Sequence, residues 1–258
     1  MSFRDALQKI INQPEKHESV LFFDKNVVII KDLFPKSFRH LLVIPRASDV
    51  SHQHPLEVFN THYQAFTGEE LYKQLGEYVE EARSMILDSL SKEFNIKEED
   101  KEAFIQRQYD FVKTGVHSVP SLRNLHIHVM TSDFNTPYMK NKKHYNSFNT
   151  KFFVAFEELD PFYNEKYCNL VNKFSDFDSD SDAPISGESD DESTMFIKHS
   201  KDETFLQNLI KNTPFKCSSC SETFGNSMVR LKEHLKIEFS KRFDLFDCDL
   251  ETLKINNF

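Results

Sequence analysis

Short runs of alternating apolar and polar residues give way once to helical spacing, and that change organises the chain. Residues Ser19–Phe23, Asn26–Lys31 and Leu41–Pro45 are β-branched and aromatic runs separated by turn residues, the composition of strands. Before them, Ser2 can cap a short helix that carries Phe3, Leu7, Ile10 and Ile11 and ends near Pro14. From Leu71 to Leu90, the positions Leu71, Leu75, Tyr78, Val79, Ala82, Ile86 and Leu90 follow helical spacing with charged residues on the other face. Tyr109–Thr114 and Leu125–Thr131 read as strands again. Strands, one long helix and further strands predict an α+β fold, an antiparallel sheet covered by helices.

The last of these strands carries the chemistry. Side chains at i and i+2 of a strand share a face. His126 and His128 therefore project together with Asn124 beside them, while Leu125, Ile127 and Val129 face the core. A neutral imidazole is abundant near pH 7 and can attack phosphorus. Such a reaction also needs a group that stabilises charge on the phosphate oxygens and one that protonates the leaving group. His128, with Ser121 and His117 upstream, can fill those roles. Two metal ligands or a solvated edge remain alternatives, although zinc would want a third ligand and a partner behind it.

Composition changes this picture in a few places. The 258 residues suit one moderate domain plus a small one. With only 5 Gly, and neither GxGxxG nor a P-loop, a nucleotide must be held by some other device. The formal charge of −9 seems to disfavour nucleic acid. However, eight acidic residues and no Lys or Arg lie between Asp176 and Glu192, so the remainder is near neutral and a local basic surface is allowed. That acidic, Ser-rich stretch predicts a flexible linker over residues 174–197, between a domain of residues 1–170 and a tail of residues 198–258. Met1–Leu7 lacks an apolar signal core, and no run of 18 apolar residues occurs. The expectation is a nuclear or cytoplasmic protein without membrane spans, monomeric and free of a disulfide framework, with Cys168 and Cys248 inert.

The run Gly115–Val129, with Asn124, His126 and His128 at its end, resembles the histidine-triad signature of the HIT superfamily. The continuation through Phe134 and Tyr138–Asn149, and the segment Val27–His40, resemble its aprataxin branch. That resemblance implies an enzyme that removes AMP from the 5′-phosphate of abortively ligated DNA through a covalent histidine–AMP intermediate. Carried onto this chain, it implies His126 as the nucleophile, His128 as the stabiliser of transition-state charge, Ser121 as a hydrogen-bond partner of a phosphate oxygen, and His117 on the DNA side. Asp32 would accept from the ribose hydroxyls, Leu33 would lie against the adenine, and Lys36 and His40 would line the nucleotide and DNA-end pocket. Asn124 stands at the first triad position, where the family has His; that residue orients the others. Read without the family, Asp32 and Ser121 could simply shape turns, and Lys36 and His40 could be solvated. Because the resemblance begins near residue 20, the phosphopeptide-binding FHA module of some aprataxins is not expected.

Lys140, Lys142, Lys143 and His144, interleaved with Tyr145 and Phe148, form the best basic patch. It could neutralise a DNA backbone and stack on a terminal base, or be a solvated loop beside two core aromatics. In the tail, Cys217 and Cys220 are followed by His234 on a helical pattern of Leu231, Leu235 and Phe239. This is the layout of a finger holding structural Zn²⁺, with a redox pair as the alternative. The usual second His is missing. Glu238, one turn beyond His234, is the expected fourth ligand, as in some fungal-type aprataxins. Arg230, Lys232 and Lys236 on the same helix suit phosphate contacts. The rival readings are a general HIT nucleotide hydrolase or phosphoramidase and a non-catalytic DNA-end binding module.

Overall fold

The computed structural model describes residues 3–61, 63–161, 199–244 and 253–258. Six strands form one antiparallel sheet: β1 (Val20–Phe23), β2 (Val27–Lys31), β3 (His40–Pro45), β4 (Val112–His117), β5 (Ile127–Thr131) and β6 (Phe153–Ala155). Their order is β1-β2-β3-β5-β4-β6. The helices on this sheet are α1 (Ala6–Asn12), α2 (Ser48–Ser51), α3 (Gly68–Glu93), α4 (Glu98–Gln108) and α5 (Lys142–Asn149).

Where these elements depart from the sequence expectation, a side chain or a cap is responsible. The long helix extends to Gly68 because Thr67 accepts from the Glu70 amide at 3.1 Å while the Glu70 carboxylate accepts from the Thr67 amide at 2.7 Å. Such a box satisfies backbone donors that the first turn leaves open. The strand expected from Tyr109 begins at Val112. Arg83 on α3 takes the carbonyls of Tyr109 and Val112 at 3.2 and 2.6 Å, which holds Tyr109–Phe111 as a 3₁₀ turn. The strand expected from Leu125 begins at Ile127, because the Leu125 amide donates to the Ser51 carbonyl at 2.7 Å, off the sheet. Residues 142–149 form a helix rather than a loop, capped by the Asn141 side chain on the His144 amide at 2.9 Å.

The two faces of the sheet are covered differently. On one, Leu41, Val43, Val116, Ile127 and Val129 pack against Leu71, Leu75, Val79, Ile86 and Leu90 of α3. Each such side chain contributes about 1.5–3 kcal/mol by leaving water. On the other face, α1 covers Val28, Ile30, Leu42 and Ile44 with Leu7, Ile10 and Ile11. At its far end, Met130 and Phe153 lie under Tyr145 and Phe148 of α5. The stretch between these two covers is where the histidines stand.

The tail contributes α6 (Glu203–Asn212), a hairpin of β7 (Phe215–Lys216) and β8 (Thr223–Gly225), and α7 (Met228–Arg242). Among the described residues, ties to the sheet domain run through α5 and through the far end of α7. Through α5, Tyr145 donates to the Lys216 carbonyl at 2.9 Å, and Asn146 donates to the carbonyls of Ile210 and Thr213 at 2.9 and 2.8 Å. At the other end of α7, Phe239 meets Phe38 with ring centroids 5.1 Å apart, and Phe243 stacks on Phe94 at 4.2 Å. The expected acidic linker, Cys168 and Cys248 lie outside the described residues.

Candidate active site and metal centre

Strand register assembles the histidines. His128 on β5 lies opposite Leu42 of β3 and Gly115 of β4. Period-two alternation then puts His40, two residues before Leu42, and His117, two residues after Gly115, on the face of His128. The ring centroids of His117, His126 and His40 lie 4.7, 5.0 and 5.1 Å from that of His128. Gly115 has a packing reason: a Cβ there would lie 2.2 Å from the Val154 carbonyl oxygen and 2.7 Å from the Phe153 ring. Its absence lets β6 and Phe153 close behind His128. Above these rings opens a cavity of about 580 Å³, within the usual range for a small-molecule site.

The hydrogen bonds assign the tautomers. Burial holds all four imidazoles neutral: His40 is pushed down to about 4, His126 falls below its ordinary value, and His117 and His128 fall well below theirs. Mutual repulsion with the neighbouring histidines and Lys36 adds to burial at His117 and His128. The Lys36 amide donates to His40 Nδ1 at 3.2 Å, so the His40 proton sits on Nε2. That nitrogen faces His128 Nδ1 at 2.9 Å and donates to it, which puts the His128 proton on Nε2. His128 Nε2 is buried with no hydrogen-bond partner among the described residues. At His126, Nδ1 lies 2.8 Å from the Asn124 carbonyl. A carbonyl only accepts, so Nδ1 carries the proton and Nε2 keeps a bare lone pair. A nucleophilic nitrogen and an unsatisfied N–H thus stand on adjacent rings.

The other expected site residues divide into those that reach this cavity and those that do not. Asp32, Lys36, His40, His117, Ser121, Lys143 and His144 line it, as does Lys140. Asp32 also shapes its turn, accepting from the Phe34 amide at 2.7 Å. Leu33 is 66% exposed and does not line the cavity. Phe34 and Tyr138 do, edge to face at 6.0 Å. Lys142 turns toward the tail instead, donating to Asn226 Oδ1 at 2.6 Å and lying over the Phe215 ring. Asn124 does not line the cavity. Its side-chain amide donates to Gln8 Oε1 and Ser51 Oγ, both at 3.0 Å, and its backbone carbonyl meets His126 Nδ1. Phe148 is core, as expected, and also lines the cavity, 4.6 Å from the His117 ring and 5.2 Å from that of His128. Its spacing of four from His144 on one helix face was the available signal. Gln207 of α6, also at the wall, had none.

In the tail, the donor atoms of Cys217, Cys220 and His234 lie within 4.8 Å of one another. A knuckle holds the sulfurs, with the Cys217 amide on the Glu222 carbonyl at 2.8 Å and Ser221 in the left-handed region at φ 63°. Leu231, Leu235 and Phe239 bury one side of α7, and His234 Nε2 reaches Cys220 Sγ at 3.2 Å. Two thiols and an imidazole so placed fit tetrahedral Zn²⁺. Glu238, expected as the fourth ligand, is not in this group. It pairs with Lys241 at 2.9 Å, while Glu222 approaches the other ring nitrogen of His234 at 3.5 Å.

A family model described as "Scavenger mRNA decapping enzyme C-term binding" matches residues 4–144, and one described as "C2HE / C2H2 / C2HC zinc-binding finger" matches residues 149–241. An aprataxin-like protein of Saccharomyces cerevisiae is 32% identical over 95% of this chain and 100% of its own length. One of Schizosaccharomyces pombe is 30% identical over 94% of this chain and 84% of its own. The crystal structure of aprataxin ortholog Hnt3 in complex with DNA superposes with a TM-score of 0.66 at 29% identity, covering 94% of this chain and 98% of that one. The histidine-bearing sheet, the finger behind it and likeness along nearly the whole length make this chain a member of the aprataxin-like family, with that family's antiparallel fold and C-terminal zinc finger.

Proposed function

We propose that this protein hydrolyses AMP from adenylated 5′ ends of DNA, returning a 5′-phosphate that a ligase can use. The observation that carries this reading is the pair of assigned tautomers, a bare Nε2 on His126 beside an N–H on His128. In the first step, His126 Nε2 attacks the AMP phosphorus. The N–P bond forms, the P–O bond to the DNA 5′-phosphate breaks, and the electron pair leaves with that phosphate. His126 keeps its Nδ1 proton and becomes a cation, which the Asn124 carbonyl and Asp32 favour. The His128 N–H and Ser121 meet the charge on the phosphate oxygens. His117 is held neutral by burial and so offers hydrogen bonding rather than a proton. A phosphate monoester, with a second pKa of about 6, needs no obligatory acid to leave. In the second step, water attacks phosphorus and gives up one proton to solvent, the N–P bond breaks with its electron pair returning to Nε2, and His126 leaves as neutral imidazole, still protonated on Nδ1.

DNA as the leaving group is supported by Lys36, Lys140, Lys143 and His144 at one cavity and by the DNA complex of the similar Hnt3 structure. Zinc in this reading is structural, held by Cys217, Cys220 and His234 with Glu238 turned inward, and the finger adds DNA contacts. The protein acts as a monomer in the nucleus. A general nucleotide hydrolase is the second reading, favoured by the match of residues 4–144 to the decapping-enzyme family model. Turnover of 5′-adenylated nicked DNA compared with an AMP phosphoramidate separates the two, and preference for the small substrate overturns the first. Mass spectrometry should also find AMP on His126; turnover by His126→Ala would exclude the covalent route.

A further inference from the structure

The loop Phe34–Arg39 joins β2 to β3 and carries Lys36, while Asp32 and His40 stand at its two ends. In a regular antiparallel ladder, residues facing each other as a hydrogen-bonded pair exchange both N–H···O bonds. Here only one is made: the Asp32 amide donates to the His40 carbonyl at 3.0 Å. The second is replaced by a side chain from the far end of the chain. The His40 amide donates to Asn256 Oδ1 at 2.8 Å, and Asn256 Nδ2 donates to the Asp32 carbonyl at 2.9 Å. One carboxamide is therefore inserted into the ladder. It spaces the two residues that the cavity uses, Asp32 at the proposed ribose side and His40 behind His128.

The residues around Asn256 hold it there. Its amide donates to the Phe38 carbonyl at 2.9 Å. On either side, the buried Arg39 takes the Lys254 carbonyl at 2.8 Å, and Ser89 Oγ donates to the Asn257 carbonyl at 2.6 Å. Asn256 has φ 55°, a left-handed conformation that Asn and Asp adopt more readily than other side chains. Asn alone among the twenty residues combines that tolerance with a donor and an acceptor on so short a stem.

From this geometry we infer that Asn256 is a positioning residue for the active site, spacing Asp32 and His40 by a side-chain amide inserted into the β2–β3 ladder. The inference rests on the proposed use of the cavity for the adenylate. It accounts for residues 253–258 reaching the start of β3. It also links the aim of His40, and through it the tautomer of His128, to residues 253–258.

The test uses the full-length zinc-loaded protein with Asn256→Gly and Asn256→Asp. The first keeps the backbone conformation and removes both bonds. The second keeps shape and acceptor but removes the donor to Asp32. Ser89→Ala, which loosens the tail without touching Asn256, is the structural control, and melting temperatures are taken for all. Turnover is measured on adenylated DNA and on an AMP phosphoramidate, with AMP affinity by calorimetry. Both Asn256 variants should lose about tenfold or more in kcat/KM, equally on the two substrates because both share the AMP half, and should bind AMP more weakly. Ser89→Ala should stay within about twofold whatever its melting temperature. Asn256 variants within twofold of the parent, or a Ser89→Ala loss matching theirs, would overturn the inference. Absence of turnover in the parent would instead overturn the proposed function.

Discussion

The histidine cavity and the finger both rest on imidazoles beside electron-rich partners, but different things hold them. In the cavity the partners belong to the protein. A backbone amide, a neighbouring ring and a backbone carbonyl set the tautomers of His40, His128 and His126, and the sheet register spaces them. In the finger, two sulfurs and one imidazole converge around short strands and a helix that buries few side chains. A site made of strand register should survive loss of a ligand, whereas a site made around an ion should not. The largest expected effect is therefore purely chemical: His126→Ala should remove about 10⁴-fold or more of turnover, with the melting temperature nearly unchanged. A collapse in stability equal to the loss of activity would show that the cavity is less independent of its rings than its register implies.

Next in size is loss of the ion. Metal binding by such fingers is coupled to their folding. Cys217→Ala, or a strong chelator, should unfold the finger and weaken DNA binding by roughly tenfold or more, steeply dependent on salt. Helix α5 serves both regions. Tyr145 and Asn146 hold the tail, and Phe148, on the same helix, lies against His117 and His128. Turnover of a small AMP phosphoramidate should therefore fall in Cys217→Ala as well, by a smaller factor than DNA binding. An unaltered rate would mean that α5 keeps its place without the finger.

A milder effect concerns protons. A histidine whose pKa is depressed on folding binds its proton more readily in the unfolded chain. Unfolding then takes up protons between the two values, and stability rises with pH across that interval. For His40 the interval runs from 6.5 down to about 4, and His117, His126 and His128 act in the same sense. Stability should be complete above pH 6.5 and decline below it, before most carboxylates titrate. Turnover should likewise stay level from pH 8 to about 6.5, since the attacking ring is already neutral. Melting temperatures that do not differ between pH 7 and pH 5 would contradict the burial that defines the cavity.

What was legible in the sequence follows the same division. Periodicity exposed the sheet and α3, because their packing repeats along the chain, and the paired histidines were visible because strand alternation is local. Contacts between distant segments were not. The bond from Asn256 to Asp32 joins positions 224 residues apart, and nothing in Ile255–Asn257 announces it. The weakly amphipathic α4 was missed, since it buries only Phe104 and Gln108. The cysteine spacing identified the finger, and Glu238, the expected fourth ligand, stands one helical turn beyond His234, where it pairs with Lys241. The Leu125–Ser51 bond that keeps Leu125 out of the ladder is again a distant contact.

The smallest expected effect tests where the two regions meet. Lys142 and Lys143 are neighbours on α5 and cannot be told apart by composition. Helical geometry turns successive residues about 100° apart, and the structure sends them different ways. Lys143 lines the histidine cavity, while Lys142 reaches Asn226 and the Phe215 ring of the finger. Lys143→Ala should weaken binding of adenylated DNA modestly and lower its salt slope by about 1, the signature of one lost phosphate contact. Lys142→Ala removes a surface tie, so it should change stability by under about 0.5 kcal/mol and leave the salt slope in place. Measuring the two slopes side by side decides the matter. If Lys142→Ala also lowers the slope by one, its ammonium faces DNA rather than Asn226, and the basic patch is one continuous surface running from the cavity onto the finger.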